Sequence, residues 1–286
     1  MSTPATPELI NFQGRPAVRL EAPDGARATV LLHGGHVVSW RPAGGDERLY
    51  LSPRAVHAPG QAVRGGVPVV FPQFERRGPL PRHGFARTRD WQLVRAEVGA
   101  ADAMAVLRLA DDAETRAFWP HPFALELTVN VSGTRLDLEL EAVHTGEAGS
   151  APWSFTAALH TYLALDEVEL ARVQGLQGLR YIDSARGGEG LERGEELRFD
   201  GEVDRIYLGA HAPLLLREPQ RALAVEQLQF PDTVVWNPGA EKAAAIADLP
   251  EGGFRHFVCL EAGVIGEPVT LEPGGSWWGR QTLLAG

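Results

Sequence analysis

The sequence is poor in cysteine and has no long apolar stretch. Cys259 is the only cysteine in 286 residues, which excludes an internal disulfide and Cys-rich zinc sites. A single cysteine also suits a reducing compartment. No span approaches the roughly 20 apolar residues that cross a bilayer, and the first residues lack a basic segment followed by an apolar run. We therefore expect a cytoplasmic protein without a membrane partner.

Several common catalytic and nucleotide-binding motifs are also missing. The sequence has no His-x-x-x-His, no Gly-x-Ser-x-Gly, no Gly-x-x-x-x-Gly-Lys and no Gly-x-Gly-x-x-Gly. These absences count against metal-dependent, serine-hydrolase and dinucleotide-dependent activities. We accordingly predict neither a metal site nor a cofactor.

Basic residues are outnumbered by acidic ones, 27 to 37, which gives a formal net charge of -10. The resulting field repels phosphate-rich polymers and counts against a nucleic-acid partner. The interval from Arg64 to Arg95 reverses this balance, because it contains seven arginines and only two acidic residues. A small anion is a plausible ligand for this interval.

The composition is that of a globular protein, with 44% hydrophobic and 22% charged residues. No repeat, heptad pattern or low-complexity linker divides the chain. All-β sandwiches often reach this length as one unit. We therefore predict a single domain over residues 1–286.

Period-2 alternation dominates the sequence. Apolar residues alternate with polar ones over Leu125–Val131 and again over Leu136–Ala142, with Ser132-Gly133-Thr134 between them. This pattern predicts a β-hairpin with one buried face. Similar short apolar runs occur at Ala28–Leu32, Val37–Trp40, Ala105–Leu109, Phe155–Leu165, Val225–Phe230, Val234–Trp236 and Phe257–Leu260. Only a short helix at Glu241–Ala247 is predicted beside them, so the pattern favours an all-β sandwich.

Two residues near apolar runs are candidates for acid/base chemistry. His160 lies within an apolar run and is expected to share a strand face with Ala158 and Tyr162. Taken alone, a hydrogen-bonded core histidine is the simpler interpretation. Glu261 directly follows Phe257–Leu260, and a strand-end glutamate that faces water is its simpler interpretation.

Two further candidates lie in predicted turns. His83 stands between Arg82 and Gly84, so it is either a ligand-binding loop residue or a turn histidine packed against Phe85. Asp204 precedes an arginine, and on local pattern alone it is most simply part of a solvated turn.

These segments together resemble the aldose 1-epimerase superfamily, and within it most closely the glucose-6-phosphate 1-epimerase branch. The matching segments follow the family's order: Ala62–Phe74, Leu80–Arg87, Leu159–Leu163, Asp204–Tyr207, Val234–Gly239 and Phe257–Gly263. Each is weak alone, but the ordered set spans nearly the whole chain. The resemblance implies a large antiparallel β-sandwich of the galactose-mutarotase type.

The resemblance also implies residue roles. His160 matches the family's general acid and Glu261 its general base, while His83 and Asp204 match sugar-contacting positions. Arg64 and Arg87 match the arginines that hold the phosphate.

The chain departs from the family's pattern at two positions. Glu75 stands where relatives commonly have Gly, and Arg82 stands where they have Gln or Ala. We include Arg82 among the substrate-binding residues as a further phosphate contact, with a solvent-facing side chain as the alternative.

The implied activity is the interconversion of α and β anomers of hexose 6-phosphates, most simply glucose 6-phosphate, by a monomer. Alternatives are an epimerase of unphosphorylated sugars and a non-catalytic carbohydrate-binding protein. An ordinary glutamate, with a pKa of about 4.3, would be ionised near neutrality. Histidine, with a pKa of about 6.5, would need an upward shift to act as the acid, and a nearby carboxylate could supply it.

Overall fold

The computed structural model describes residues 7–286, and strands dominate it. In chain order they are β1 Glu8–Phe12, β2 Arg15–Glu21, β3 Arg27–Leu31, β4 His36–Arg41, β5 Val69–Val70, β6 Gln92–Val98, β7 Ala103–Ala110, β8 Phe123–Ser132, β9 Arg135–His144, β10 Trp153–Leu159, β11 Tyr162–Ala164, β12 Arg172–Gln174, β13 Arg180–Asp183, β14 Glu189–Leu191, β15 Glu196–Arg198, β16 Val203–Tyr207, β17 Leu214–Arg217, β18 Ala222–Leu228, β19 Asp232–Asn237, β20 Phe257–Leu271 and β21 Ser276–Ala285.

The strands form three antiparallel sheets. Strands β1 to β4 pair in order in the smallest sheet. The second sheet has the order β14-β13-β16-β19-β20-β10-β5, with β11 also paired to β20. The third has the order β15-β12-β17-β18-β21-β9-β8-β7-β6. The predicted all-β architecture is confirmed.

The clearest sequence pattern is the long hairpin of β8 and β9. Leu127 pairs with Leu140 and Val129 with Leu138, and all four side chains are buried. Polar residues occupy the alternate positions, where burial is only partial. Because side chains alternate across a strand, one face of the hairpin enters the core and the other remains wet.

Both faces of strand β20 are buried, one against the large core and the other against a smaller cluster. Val258 and Leu260 belong to the large core cluster that also includes the buried face of the β8–β9 hairpin. Cys259 points to the opposite face, in a smaller cluster with Tyr162 and Trp236. A run with both faces covered reads as continuously apolar, which explains why this segment showed little alternation.

Helices are short. Helix α1 spans Ala113–Phe118 and begins with a capping box in which the Asp112 side chain accepts a hydrogen bond from the Thr115 N–H. Helix α2 spans Gly239–Ala244, so the helix predicted at Glu241–Ala247 begins and ends earlier than expected. Short 3-10 segments lie at Ala86–Thr88, Val168–Leu170 and Gly253–His256. Among residues 7–286, no helix is long and apolar enough to span a bilayer.

Candidate active site

His160 lies at an interruption in the predicted strand Phe155–Leu165. Strand β10 ends at Leu159 and β11 begins at Tyr162, and both pair with β20. The His160 N–H donates instead to the Pro68 carbonyl at 3.0 Å. Its ring stacks on Tyr162, with centroids 4.9 Å apart and planes at 11°. The interruption thus turns the imidazole toward the β20 face that carries Cys259.

Glu261 lies inside the 15-residue strand β20, not at its end. It pairs with Val234 of β19, and its side chain is only 2% exposed. The interpretation of Glu261 as a solvent-facing strand-end glutamate is therefore wrong. Strand alternation places Glu261 on the same face as Cys259.

The fold brings the two candidate acid/base groups together. His160 Nδ1 lies 3.2 Å from Glu261 Oε1. This contact is not a hydrogen bond. His160 Nδ1 and the second carboxylate oxygen, Glu261 Oε2, are both buried without a hydrogen-bond partner within residues 7–286. Two buried titratable groups therefore face one pocket with unused hydrogen-bonding capacity.

Burial dominates the protonation of this pair. Desolvation, and then the charges of Arg87 and Arg64, lower the pKa of His160 well below 6.5. Desolvation, and then the charge of Asp204, raise the pKa of Glu261 well above 4.5. The upward shift that His160 would need as the acid is thus absent, and Glu261 does not keep the ordinary pKa expected for it, because burial disfavours the charged form of both groups.

His83 occupies a strained turn in the same pocket. Its φ is 66°, and the Glu75 N–H donates to its Nδ1 at 3.4 Å. The ring meets Phe74 edge to face and lies 5.5 Å from the His160 ring between centroids. The alternative that packed His83 against Phe85 is wrong. Burial, and then the charge of Arg87, keep the pKa of His83 far below its usual range.

Two glycines allow the loops of this pocket to pack closely. A Cβ at Gly65 would lie 2.3 Å from the Tyr50 carbonyl oxygen, and one at Gly84 would lie 2.1 Å from the Phe71 carbonyl oxygen. Both glycines also have positive φ, which side chains rarely tolerate. Glycine is therefore required beside both Arg64 and His83.

Arg64 is held by two partners. Its Nε donates to Asp248 Oδ1 at 3.1 Å, and its Nη1 donates to the Tyr162 hydroxyl at 3.0 Å. Tyr162 therefore contacts both groups, because its hydroxyl accepts a hydrogen bond from the Arg64 guanidinium and its ring stacks on the His160 imidazole. Asp248, which the sequence analysis missed, positions this arginine.

Arg87 differs from Arg64 because it has no carboxylate partner. It makes no ion pair with residues 7–286, and its Nε is buried without a hydrogen-bond partner in that range. Its Nη2 donates only to the Arg82 carbonyl, at 3.0 Å. Desolvation lowers the pKa of Arg87 to about 10, so the group still carries its positive charge at neutral pH.

Arg82 and Glu75, the two residues at which the chain departs from the family's pattern, contact each other. Arg82 Nη2 lies 3.3 Å from Glu75 Oε1, and the Arg82 side chain is 47% exposed. Both residues line the pocket. Arg82 therefore lines the pocket while paired with Glu75, and its role as a further phosphate contact stays a prediction.

Asp204 is paired with a residue that the sequence analysis overlooked. Lys242 Nζ, carried by α2, lies 2.5 Å from Glu202 Oε1 and 3.6 Å from Asp204 Oδ2. Desolvation raises the pKa of Asp204 to about 6, and Lys242 opposes this rise. Lys242 is the only lysine in the sequence, a scarcity that could have drawn attention to it. The interpretation of Asp204 as a solvated turn residue is wrong.

One pocket of about 170 Å³ collects all seven predicted site residues. They are Arg64, Arg82, His83, Arg87, His160, Asp204 and Glu261. The sequence analysis did not select the other lining residues, which are Phe74, Glu75, Val234, Trp236, Lys242 and Ile246. The pocket is therefore lined both by arginine side chains and by the buried pair of His160 and Glu261.

Burial raises the pKa of Asp204 and the charge of Lys242 lowers it, so removing that charge should change the pKa measurably. Replacing Lys242 with Met is expected to raise the pKa of Asp204 above about 6, because the positive charge that lowers this pKa most is removed. The increase should stay below about one pH unit, since a partly exposed ion pair contributes about 0–1 kcal/mol. Carbon-13 NMR titration of the Asp204 carboxyl measures it. Lys242→Arg, which keeps the charge, should leave the pKa nearly unchanged; an equal rise in both variants would contradict this account.

The aldose 1-epimerase family profile matches residues 16–283. The chain belongs to the aldose 1-epimerase family. A relative from Cenchrus ciliaris, described as a candidate glucose-6-phosphate 1-epimerase, is 36% identical over 267 residues, which cover 90% of this chain and 81% of the relative. A relative from Escherichia coli K12 with the same description is 34% identical over 249 residues, covering 84% of this chain and 81% of the relative.

Solved structures of aldose 1-epimerase relatives share the fold. A candidate mutarotase from Salmonella typhimurium superposes with a TM-score of 0.89 at 29% identity, covering 98% of this chain and 93% of that one. A galactose 1-epimerase from Lactobacillus acidophilus gives a TM-score of 0.74 at 17% identity, with 99% of both chains covered. The predicted galactose-mutarotase type of β-sandwich is thus confirmed for this family member.

Proposed function

We propose that this aldose 1-epimerase family member interconverts the α and β anomers of hexose 6-phosphates, with glucose 6-phosphate as its simplest substrate. His160 and Glu261 transfer the protons, Arg64 and Arg87 bind the phosphate, and His83 and Asp204 contact the sugar. The descriptions of the relatives from Cenchrus ciliaris and Escherichia coli support this substrate class.

The observation that carries the phosphate assignment is the unpaired charge of Arg87. A partly buried cation is costly unless an anion compensates it, and Arg87, whose Nε is fully buried, has no carboxylate partner within residues 7–286. Guanidinium groups bind phosphate through paired, charge-assisted hydrogen bonds. Because Arg64 lines the same pocket, a phosphate dianion can engage both arginines while the sugar reaches the histidine–carboxyl pair.

The histidine–carboxyl pair supplies the chemistry. Ring opening requires a proton to leave the hydroxyl on the anomeric carbon while another reaches the ring oxygen. Glu261 accepts the first proton and His160 donates the second. Rotation about the adjacent carbon–carbon bond and reversal of both transfers close the ring as the other anomer. Two groups of opposite protonation state suffice, so this mechanism uses no cofactor.

The two pKa shifts indicate which change the bound substrate must favour, namely the transfer of one proton from Glu261 to His160. Burial favours protonated Glu261 and neutral His160 in the empty pocket, a state with the same number of protons as a carboxylate beside an imidazolium. The charges of Arg87 and Arg64 are the leading electrostatic causes that lower the pKa of His160. A bound phosphate offsets these charges and thereby favours the imidazolium needed for ring opening.

The proposal predicts faster anomer exchange for phosphorylated sugars. Exchange NMR with the purified protein should show acceleration above the spontaneous rate for glucose 6-phosphate. The kcat/KM for free glucose should be at least about 100-fold lower, because each charge-assisted hydrogen bond contributes about 1.5–3 kcal/mol. Galactose serves as a second unphosphorylated control. Equal rates with and without the phosphate would refute the phosphate assignment.

The organisation of the active protein is a further part of the proposal. We propose that residues 1–286 act as one domain, as a monomer in the cytoplasm. All seven site residues predicted from the sequence line a single pocket of this chain, which supports a site that needs no second subunit.

A further inference from the structure

Cys259 forms a three-residue cluster with the proposed acid/base pair. The ligand atoms of His160, Cys259 and Glu261 all lie within 4.8 Å of one another, and all three residues are buried. Cys259 and Glu261 are two positions apart on β20 and share a face. The interruption between β10 and β11 brings His160 to that face from the neighbouring chain segment.

Two polar atoms in this cluster have no hydrogen-bond partner. These are His160 Nδ1 and Glu261 Oε2, judged against every residue from 7 to 286. The two side chains are 8% and 2% exposed. Buried polar atoms are normally satisfied, so two unsatisfied ones on neighbouring side chains of one pocket indicate that a ligand supplies their missing partner. Cys259 therefore lies beside two buried side chains that each have a polar atom without a hydrogen-bond partner within residues 7–286.

The spacing matches a tetrahedral metal site. His160 Nδ1 and Glu261 Oε1 are 3.2 Å apart. Two ligands bound at about 2.0–2.1 Å in tetrahedral geometry are separated by about 3.3 Å. The thiol sulfur, which lies within 4.8 Å of the other two ligand atoms, is the third ligand of such a site. A fourth ligand can come from the pocket, which His160 and Glu261 line.

We propose that His160, Cys259 and Glu261 form an inhibitory binding site for a thiophilic divalent cation such as Zn²⁺ or Cd²⁺. The ion binds the lone pairs of both proton-transfer groups, so it competes with a sugar phosphate for the same pocket. The inhibitory consequence rests on the proposed function, whereas the binding itself does not.

The ligand set balances the charge of the ion. The Cys259 S–H and the Glu261 O–H each lose a proton to solvent as their bonds to the metal form, and the imidazole binds neutral. A divalent ion with a thiolate and a carboxylate has no net charge, so it adds none beside Arg64 and Arg87.

Cadmium titration of the full chain tests the proposal. We expect one Cd²⁺ per chain, an ultraviolet thiolate-to-metal charge-transfer band, and loss of anomer exchange with the same midpoint. Cys259→Ser should lose the band and bind at least about 100-fold more weakly, since the loss of even an outer-shell partner typically costs 10–100-fold. Glucose 6-phosphate should weaken cadmium binding to the unmodified protein.

A second variant guards against a folding defect in Cys259→Ser. Glu261→Gln keeps the thiol and should show the band only at cadmium concentrations at least about 10-fold higher. Binding without a charge-transfer band, or binding unchanged in Cys259→Ser, would overturn the proposed site. A protein that binds Cd²⁺ as expected but shows no anomer exchange when metal-free would refute the proposed function and leave the metal site supported.

Discussion

Replacing Glu261 with Gln is expected to lower kcat/KM for anomer exchange by about 10²–10⁴, the usual contribution of a general acid or base. The amide cannot accept the proton from the anomeric hydroxyl, although it fills nearly the same volume in the buried site. Exchange NMR of glucose 6-phosphate across a range of enzyme concentrations measures the loss. The fold should survive, because the change removes a desolvated acidic group and no hydrogen-bond partner of Glu261 Oε2 within residues 7–286 is lost.

Glu267→Gln is the matched control for this substitution. Glu267 lies on the same strand, β20, but is exposed and does not line the pocket. The control should keep full activity. Activity retained by Glu261→Gln, with an intact fold by circular dichroism, would show that Glu261 is not the base.

Replacing Arg87 with Gln should remove the preference for phosphorylated substrate. The kcat/KM for glucose 6-phosphate is expected to fall by about 10²–10³, because up to two charge-assisted bonds of about 1.5–3 kcal/mol are lost. The value for free glucose should change little, since that sugar makes no phosphate contact. Comparing both sugars in one exchange experiment separates lost phosphate recognition from lost chemistry.

Arg87→Gln should lower activity without lowering stability. The unpaired guanidinium is desolvated in the empty pocket, so its removal should leave the free energy of unfolding unchanged or larger. Inorganic phosphate should raise the Tm of the unmodified protein, because a ligand that binds only the folded state stabilises it. That increase should be smaller in Arg87→Gln.

Arg76→Gln provides the control for Arg87. Arg76 belongs to the same arginine-rich interval but is exposed and does not line the pocket. It should alter neither the substrate preference nor the phosphate-induced rise in Tm. If Arg76→Gln matched Arg87→Gln in both measurements, the general charge of the interval would explain the preference, and the assignment to Arg87 would fail.

The sequence analysis succeeded where local pattern reports directly on burial. In the β8–β9 hairpin every second residue is apolar, and that period matches a strand with one face in the core. Helix prediction was less successful, because α1 and α2 have only six residues each. Segments of that length contain too few turns for a clear helical period.

The pocket shows where local pattern fails. Glu261 follows a run in which both faces of β20 are covered, so no alternation indicates which face its side chain occupies. Lys242 lies on a short helix remote in sequence from its partners Glu202 and Asp204. Only the resemblance to the epimerase family identified His160 and Glu261 as a pair.

The sequence by itself determined the all-β architecture, the absence of a disulfide and the arginine-rich interval, because alternation, cysteine count and charge are properties of the chain. The tertiary structure decided which arginine lacks a partner, that Glu75 pairs with Arg82, and that burial shifts the pKa values of His160 and Glu261 in opposite directions. These properties depend on distance and desolvation between groups remote in sequence. His160 and Glu261, for example, meet only when β10 and β11 both pair with β20.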